Sequence, residues 1–313
     1  MQGIELARAY YEACGKPMLE AQFPHLLPLI AVGLVGSGSE CFGYDDDISQ
    51  DHDFEPGFCI FLPGEEAVSR RDAFLLERAY GKLPGSFCGY RRSPMSPVGG
   101  NRHGVILLED FLAAKTGDPA GALSLGDWFR VPEQTLSEVT NGVLFFDGSG
   151  EFTTIRQKLK YLPEEVRRKK LAGELLLMGQ SGQYNYPRCI RRGDQGAAQL
   201  AAVEFVKAAI HTVFLLNRVY LPYYKWQFRG MKDLPLLRDL AVALEWLISS
   251  GNDPATATEK QSTIEKISAA ILGELRHQGL SDHPGEDTEA HAYAVNNSIS
   301  DGNLRNLHIL YGV

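Results

Sequence analysis

Two carboxylates in an acidic segment are the first candidates for chemistry. Asp51 and Asp53 are separated by one residue and precede an apolar run from Phe58 to Leu62 that is typical of a strand. Alternate residues of a strand face the same way, so both carboxylates are expected to project together while His52 points away. Mg²⁺ prefers such oxygen ligands. The spacing predicts a divalent-metal site at Asp51 and Asp53.

A glycine-serine pair precedes these carboxylates. Gly36 and Ser37 follow the apolar run 29–35, and thirteen residues separate Ser37 from Asp51. Gly36 would let the backbone approach a phosphate group, and Ser37 with its neighbouring amides would donate hydrogen bonds to it. Each motif alone is common, as a solvated acidic turn or a generic tight turn. Their order between two predicted strands favours one site for a metal and a phosphorylated ligand.

The elements that must position these residues divide the chain in two. Apolar runs at 29–35, 58–62, 104–108 and 143–146 predict strands, and helical stretches separate them. Helical patterns dominate after residue 150, and the longest is the apolar stretch from Ala197 to about Tyr220. The pattern predicts an α/β-type first half and a helical second half.

The order of strand, glycine-serine turn and Asp-x-Asp resembles the nucleotidyltransferases related to DNA polymerase beta. The likeness includes Gly-Ser-x-Ser-Glu-Cys-Phe-Gly-Tyr-Asp-Asp from Gly36 and Asn217-Arg218-x-Tyr220-x-Pro222-Tyr223-x-Lys225-Trp226. Over residues 29–235 the chain is similar to an uncharacterised bacterial branch, a domain of unknown function, that is close in architecture to the aminoglycoside nucleotidyltransferases. The resemblance implies an α+β nucleotidyltransferase fold, with an N-terminal helix at 1–19, a catalytic domain with a mixed sheet at 20–150 and an all-helical substrate- or partner-binding domain at 151–313.

The resemblance also implies an activity. A nucleoside monophosphate would pass from a nucleoside triphosphate, with ATP favoured, to a hydroxyl group, and pyrophosphate would leave. Two Mg²⁺ ions held by Asp51 and Asp53 would neutralise the triphosphate and activate the hydroxyl. Gly36 and Ser37 would cradle the β- and γ-phosphates.

Further nucleotide contacts follow from the same resemblance. Ser39 and Ser49 are additional nucleotide-binding positions. Lys225 matches a lysine that contacts the phosphates from the helical domain of the aminoglycoside enzymes. The alternative for Lys225 is that the segment from Tyr223 to Trp226 forms a packing corner between a helix and a loop.

The chain departs from its relatives at a third carboxylate. Relatives carry it on a later strand, where it completes the metal site or acts as general base, but the interior of the run 104–108 holds no acid. Glu109, directly after this run, is the favoured candidate, and Asp147 is the second. A base from the helical domain, or none, remains as an alternative. Without such a group the protein would bind nucleotide yet turn over slowly or not at all.

Two positions in the helical half are candidate substrate contacts. Glu204 belongs to a polar stripe on the long apolar helix, which is either a solvent-exposed edge or the lining of a cleft. Arg188 lies in an aromatic and basic loop at 184–192, where arginine either suits phosphate oxygens or is simply solvated.

Composition restricts the partners. Lys and Arg total 31 against 39 Asp and Glu, a formal charge of −8, which argues against broad binding to nucleic acid. A small-molecule acceptor, aminoglycoside-like and cationic, is therefore favoured over a polynucleotide. A protein partner is the alternative, for a non-catalytic nucleotide sensor or a protein-adenylylating modifier.

Cysteine usage and hydropathy indicate the compartment. The five cysteines are scattered and odd in number, which is typical of reduced thiols rather than of disulfides or a zinc site. The sequence lacks an uncharged apolar run of ~18 residues and a basic N-terminal region. We expect a soluble, cytoplasmic protein without a membrane partner.

Overall fold

The computed structural model describes residues 1–48, 54–92 and 102–313. The chain separates into two compact units. The first unit comprises Met1–Ser124 with Val131–Lys160, and the second comprises Leu125–Arg130 with Tyr161–Val313. The first unit combines helices with a mixed sheet, and the described elements of the second unit are helical, which confirms the α+β class. The N-terminal helix belongs to the first unit, and the division at residue 160 lies beyond the predicted boundary at 150.

The four predicted apolar runs all form strands. The strands are β1 (Ala31–Leu34), β2 (Cys59–Leu62), β3 (Ser86–Phe87), β4 (Tyr90–Arg91), β5 (Gly104–Leu107) and β6 (Val143–Asp147). Within the described residues, a mixed sheet has the order β5-β2-β1-β6, and β3 pairs with β4 in a separate hairpin. β1 is antiparallel to β2 and β6, whereas β2 is parallel to β5.

These strand directions decide what meets at each edge of the sheet. β1 ends near Gly36, and Gly33 pairs with Cys59 at the start of β2. Cys59 pairs in turn with Gly104, and Leu34 pairs with Val143. β2, β5 and β6 therefore all begin at the edge where β1 ends, which we call the Gly36 edge. Their last residues lie at the opposite edge.

Helices cover this sheet. Those of the first unit are α1 (Gly3–Tyr10), α2 (Lys16–Gln22), α3 (Ser39–Phe42), α4 (Arg70–Gly81), α5 (Leu108–Thr116), α7 (Glu133–Thr140) and α8 (Glu151–Lys158). A π-helical turn at Tyr11–Gly15 joins α1 to α2, so the N-terminal helix runs to Gln22, beyond its predicted end at residue 19. Gly15 is needed there, because a Cβ atom would lie 2.3 Å from Cζ of Phe58. The buried rings of Tyr10, Phe58 and Tyr80 form the core beneath α1 and α4.

The second unit is built around one long helix. Its helices are α6 (Asp127–Arg130), α9 (Glu164–Met178), α10 (Tyr186–Arg191), α11 (Gln195–Asn217), α12 (Gln227–Lys232), α13 (Leu240–Ser249), α14 (Pro254–His277), α15 (Thr288–Asn297) and α16 (Gly302–Asn306). α11 is the one described helix long and apolar enough to cross a membrane, but most of its apolar stretch is buried among α9, α10, α13 and α14. That burial is typical of a core helix, so the length and composition of α11 are weak evidence for a membrane span.

Two segments differ from the prediction. Residues 184–192 were expected to form a loop, but a π-helical segment (Gly179–Asn185) joins α9 to α10. Pro187 is tolerated because it occupies the first turn of α10, where its missing amide hydrogen is not needed. The sequence pattern over residues 288–310 predicts one helical segment, but two helices form there, because Asp301 caps a new one by accepting hydrogen bonds from Asn303 and Leu304.

Candidate functional site

A tight turn follows β1, and Asn141 holds it. Gly36 and Gly38 have φ values of 114° and 123°, which favour glycine. The side chain of Asn141 accepts a hydrogen bond from the Gly36 amide at 3.0 Å and donates one to the Gly36 carbonyl at 2.7 Å. Arg156 donates to the carbonyl of Thr140 at 2.8 Å and to that of Asn141, which secures the segment carrying the Asn141 side chain. The amide of Gly36 is therefore engaged.

The backbone amides that follow Gly36 are available as hydrogen-bond donors. Within the described part of the chain, those of Ser37, Gly38 and Ser39 donate no hydrogen bond. Ser37 is exposed and Ser39, the first residue of α3, is half-buried. Successive amides in such a turn form a concave surface that suits an anion. Ser37 to Ser39 therefore offer the donors while Gly36 sets the backbone conformation, and phosphate binding at this turn stays a prediction.

An ion pair closes the other side of the turn. Nη2 of Arg102 donates to the carbonyl of Ser37 at 2.8 Å and pairs with the carboxylate of buried Glu40. A Cβ atom on Gly38 would overlap the Arg102 guanidinium, at 1.6 Å from Nη2. The glycine at position 38 therefore leaves the space in which Arg102 reaches the turn.

His103 continues this cluster. Its Nδ1 lies 3.2 Å from Oε1 of Glu55, and a Cβ atom on Gly57 would lie 2.4 Å from the same nitrogen. Burial lowers the pKa of His103 below the ordinary 6.5, although the hydrogen bond to Glu55 opposes this shift. Its contacts with Glu55 and Gly57 give His103 a structural role in this part of the fold.

The pKa of His103 predicts how stability depends on pH. Because the folded state disfavours the charged ring, the unfolded state binds the proton more readily, so the free energy of unfolding should fall as pH drops below about 6.5. Urea unfolding between pH 7.5 and 5.5 measures this loss, which we expect to be smaller in His103→Gln. An identical pH dependence in the two proteins would contradict the assignment.

The predicted metal ligands are outside the described residues. These ligands are Asp51 and Asp53, and Ser49, a predicted nucleotide contact, also lies outside the described residues. Phe54, which directly follows Asp53 in the chain, is described: its ring lies 4.9 Å from that of Tyr90, and a Cβ atom built on Gly3 would lie 3.2 Å from it and 2.6 Å from Cβ of Glu40. Phe54 thus lies close to α3, the helix that begins at the Gly36 turn.

The two candidates for the third carboxylate lie at the opposite edge. Glu109 follows the last residue of β5, and its carboxylate lies beside Gly64, just after β2. There it lines a cavity of about 590 Å³ that Gly36 and Ser37 do not line. Asp147 pairs with Ala31, the first residue of β1. Its carboxylate accepts hydrogen bonds from the amides of Gly150 and Thr153 at 2.9 and 2.8 Å, and so fixes the start of α8.

Asp110, a carboxylate that is not among the residues predicted from the sequence, lies nearer the turn. Asp110 lines the same cavity, of about 730 Å³, as Gly36, Ser37 and Arg102. α5 starts after β5 and its Phe111 reaches Gly36, with 3.8 Å between the ring and a Cβ atom built on the glycine. Consecutive helical residues point about 100° apart, so Glu109 and Asp110 face different cavities. The sequence signal that could have identified Asp110 is that Glu109 and Asp110 belong to a helix and not to a strand.

The candidates in the second unit are exposed. Lys225 lies in a 3₁₀ turn, Tyr224–Trp226, with Nζ 4.9 Å from the centre of the Trp226 ring. Glu204 pairs with Lys207 at 3.1 Å, and both side chains are more than half exposed. Arg188 stacks on Tyr184 at 3.9 Å from the ring centre. Across residues 1–48, 54–92 and 102–313, no group of three or more His, Cys, Asp or Glu side chains is arranged to hold a metal ion.

Comparison with known proteins relates part of the chain to a protein family model. Residues 128–227 match a family model described as "Domain of unknown function (DUF4037)". The matched region runs from α6 to the start of α12 and contains Arg188, Glu204 and Lys225, but not the Gly36 turn. No curated protein matches the chain. The match agrees with the resemblance to a domain of unknown function, and the nucleotidyltransferase hypothesis stays a prediction.

Proposed function

We propose that this protein is a Mg²⁺-dependent nucleotidyltransferase. It moves a nucleoside monophosphate from a nucleoside triphosphate, ATP being the favoured donor, to a hydroxyl group of a small molecule and releases pyrophosphate. The observation that carries the proposal is the turn after β1, where the amides of Ser37, Gly38 and Ser39 form a donor-rich surface at the edge of the sheet.

The sheet topology supports placing the metal ligands at this edge. β2 begins there, the Asp-x-Asp segment precedes β2 in the chain, and Phe54 lies beside α3. Two neighbouring carboxylates fit Mg²⁺, because it takes oxygen ligands and keeps positions for phosphate oxygens. When bound at Asp51 and Asp53, the metal would neutralise phosphate charge and activate the attacking hydroxyl.

The residues of the chain then have separate roles. The turn amides orient the β- and γ-phosphates, and Asn141 holds the turn so that these donors need no rearrangement on binding. Two described acids, Asp110 and Glu77, line a cavity with the turn, so both are candidates for the general base beside Glu109, which the sequence favours.

A second function has one observation in its favour. Glu109 and Asp147 are the two acids that the sequence favours as the third carboxylate. Both lie at the edge of the sheet opposite the turn. A protein that keeps the phosphate-binding turn without a general base would act as a nucleotide sensor. A protein-adenylylating modifier is the other alternative, with a protein hydroxyl as acceptor.

Thermal melting with nucleotides tests the proposal. ATP, GTP, CTP and UTP are added with and without Mg²⁺ to the wild type, to Asp53→Asn and to Asp47→Asn, a control in the same acidic segment. A ligand at a hundredfold excess over its dissociation constant stabilises the fold by ~2.7 kcal/mol, which raises the melting temperature by several degrees. We expect a Mg²⁺-dependent shift in the wild type and the control but not in Asp53→Asn.

The remaining outcomes separate the alternatives. If no nucleotide shifts the melting temperature, the transferase proposal and the sensor alternative are both wrong. If nucleotide binds, release of pyrophosphate during incubation with acceptor candidates distinguishes an enzyme from a sensor. Labelled nucleotide that becomes attached to protein identifies the modifier.

A further inference from the structure

One segment of the second unit has a composition unlike the rest of the chain. Residues 218–232 carry four basic side chains and no acidic one, although the whole chain has a formal charge of −8. The same fifteen positions hold five aromatic residues: Tyr220, Tyr223, Tyr224, Trp226 and Phe228. Whole-chain charge, which argues against nucleic acid, averages over this local excess of positive charge.

The backbone presents two of these rings to solvent. Pro222 precedes Tyr223, whose extended backbone leads into the 3₁₀ turn Tyr224–Trp226. The side chains of Tyr223 and Tyr224 are 45% and 70% exposed, and their ring centres are 4.4 Å apart. Large exposed apolar side chains that lie together mark interaction sites more often than isolated ones do.

Basic side chains lie in the same segment as these aromatic rings. Nζ of Lys225 lies 4.9 Å from the centre of the Trp226 ring, and Lys225 itself is exposed. The guanidinium of Arg229 lies 5.9 Å from the same ring centre, and Lys232 is exposed at the end of α12. Arg218 is already paired with Glu164, at 2.8 Å. Lys225 and Lys232 are therefore the basic residues of this segment that are exposed and unpaired within the described part of the chain, and we call the four exposed residues Tyr223, Tyr224, Lys225 and Lys232 the Tyr-Lys surface.

We propose that the Tyr-Lys surface binds a single-stranded nucleic acid. Aromatic side chains stack on successive bases without needing a particular sequence, and nearby lysines contact the phosphates. Two adjacent exposed tyrosines and two separate lysines offer contacts to more than one nucleotide, which favours a strand over a mononucleotide. A base-paired duplex hides its base faces and would gain only the contacts to phosphate.

The proposal is tested by direct binding without Mg²⁺ or nucleoside triphosphate. Fluorescence anisotropy follows a labelled 12-nucleotide RNA of mixed sequence, the same RNA annealed to its complement, and polyglutamate as an acidic polymer without bases. We expect the single strand to bind the full-length protein more tightly than the duplex. ATP at the same concentration of nucleotide units as the strand should not displace the strand.

Substitutions of exposed residues identify which side chains contact the strand. Tyr224→Ala removes a stacking ring and should weaken strand binding about tenfold or more. Lys225→Gln removes one phosphate contact, and the slope of log K against log salt should fall by about 0.7. The matched controls are Tyr293→Ala, a tyrosine 48% exposed on α15, and Lys266→Gln, an exposed lysine on α14; both should bind like the wild type.

Several outcomes would overturn the proposal. These are no binding of the strand, equal binding of strand and duplex, equal binding of polyglutamate, displacement by ATP, or no loss in Tyr224→Ala. The inference does not rest on the transfer reaction. Asp53→Asn should bind the strand like the wild type even though it loses the nucleotide-dependent melting shift, so the two proposals can fail separately.

Discussion

Replacing Asn141 with alanine is expected to lower the free energy of unfolding by about 2–4 kcal/mol. The amide and the carbonyl of buried Gly36 each lose their partner, and an unpaired buried polar group costs roughly 1–3 kcal/mol. Alanine also leaves the turn without the contact that fixes its donors. Urea unfolding measures the first effect, and the Mg²⁺-dependent melting shift with ATP, which should shrink or vanish, measures the second.

A control variant distinguishes the role of Asn141 in holding the turn from the general effect of losing an asparagine. Asn297, the exposed last residue of α15, should change stability by no more than about 0.5 kcal/mol when replaced with alanine. If Asn141→Ala is as stable as this control, Asn141 does not hold the turn. If it is destabilised but keeps the full ATP shift, Asn141 supports the fold and not the phosphate site.

Replacing Glu164 with glutamine should destabilise the second unit by about 3 kcal/mol. The Glu164 carboxylate binds Arg167 through two hydrogen bonds, at 2.8 and 3.0 Å, and also pairs with Arg168 and Arg218. Arg167 is only 2% exposed, and a buried cation without its counter-charge costs several kcal/mol. Contacts from Arg167 to Leu215 and Gln278, both at 3.4 Å, survive the change and limit the loss.

The pH dependence of this variant provides an independent check. Burial raises the pKa of Glu164, but the hydrogen bonds and charges of Arg167 and Arg218 outweigh burial and lower it below 4.5. The contribution of the Glu164 carboxylate to the free energy of unfolding is therefore complete at pH values above 4.5, and it is lost as pH falls through the lowered pKa. The stability gap between wild type and Glu164→Gln should close on acidification. Glu204→Gln, which breaks an exposed pair, is the control and should cost about 0.5 kcal/mol or less.

The sequence by itself determined the elements and their class. Apolar runs bounded by glycine, proline and acidic residues marked every strand of the main sheet to within about two residues. The long apolar α11 was equally readable. These features depend on local rules of backbone conformation, periodicity and capping, which a short stretch of sequence contains. The position of the glycine-serine turn after β1 belongs to the same group.

Only the tertiary structure decided which residues meet at that turn. Asn141 and Arg102 contact it across 105 and 65 residues of sequence, and no local pattern marks either one as its partner. Strand direction, which periodicity cannot reveal, carries Glu109 and Asp147 to the opposite edge, and the start of a helix at Leu108 turns Asp110 toward the cavity of Gly36. Side-chain direction within an element follows from its period, but the pairing of distant elements follows from packing of the whole chain.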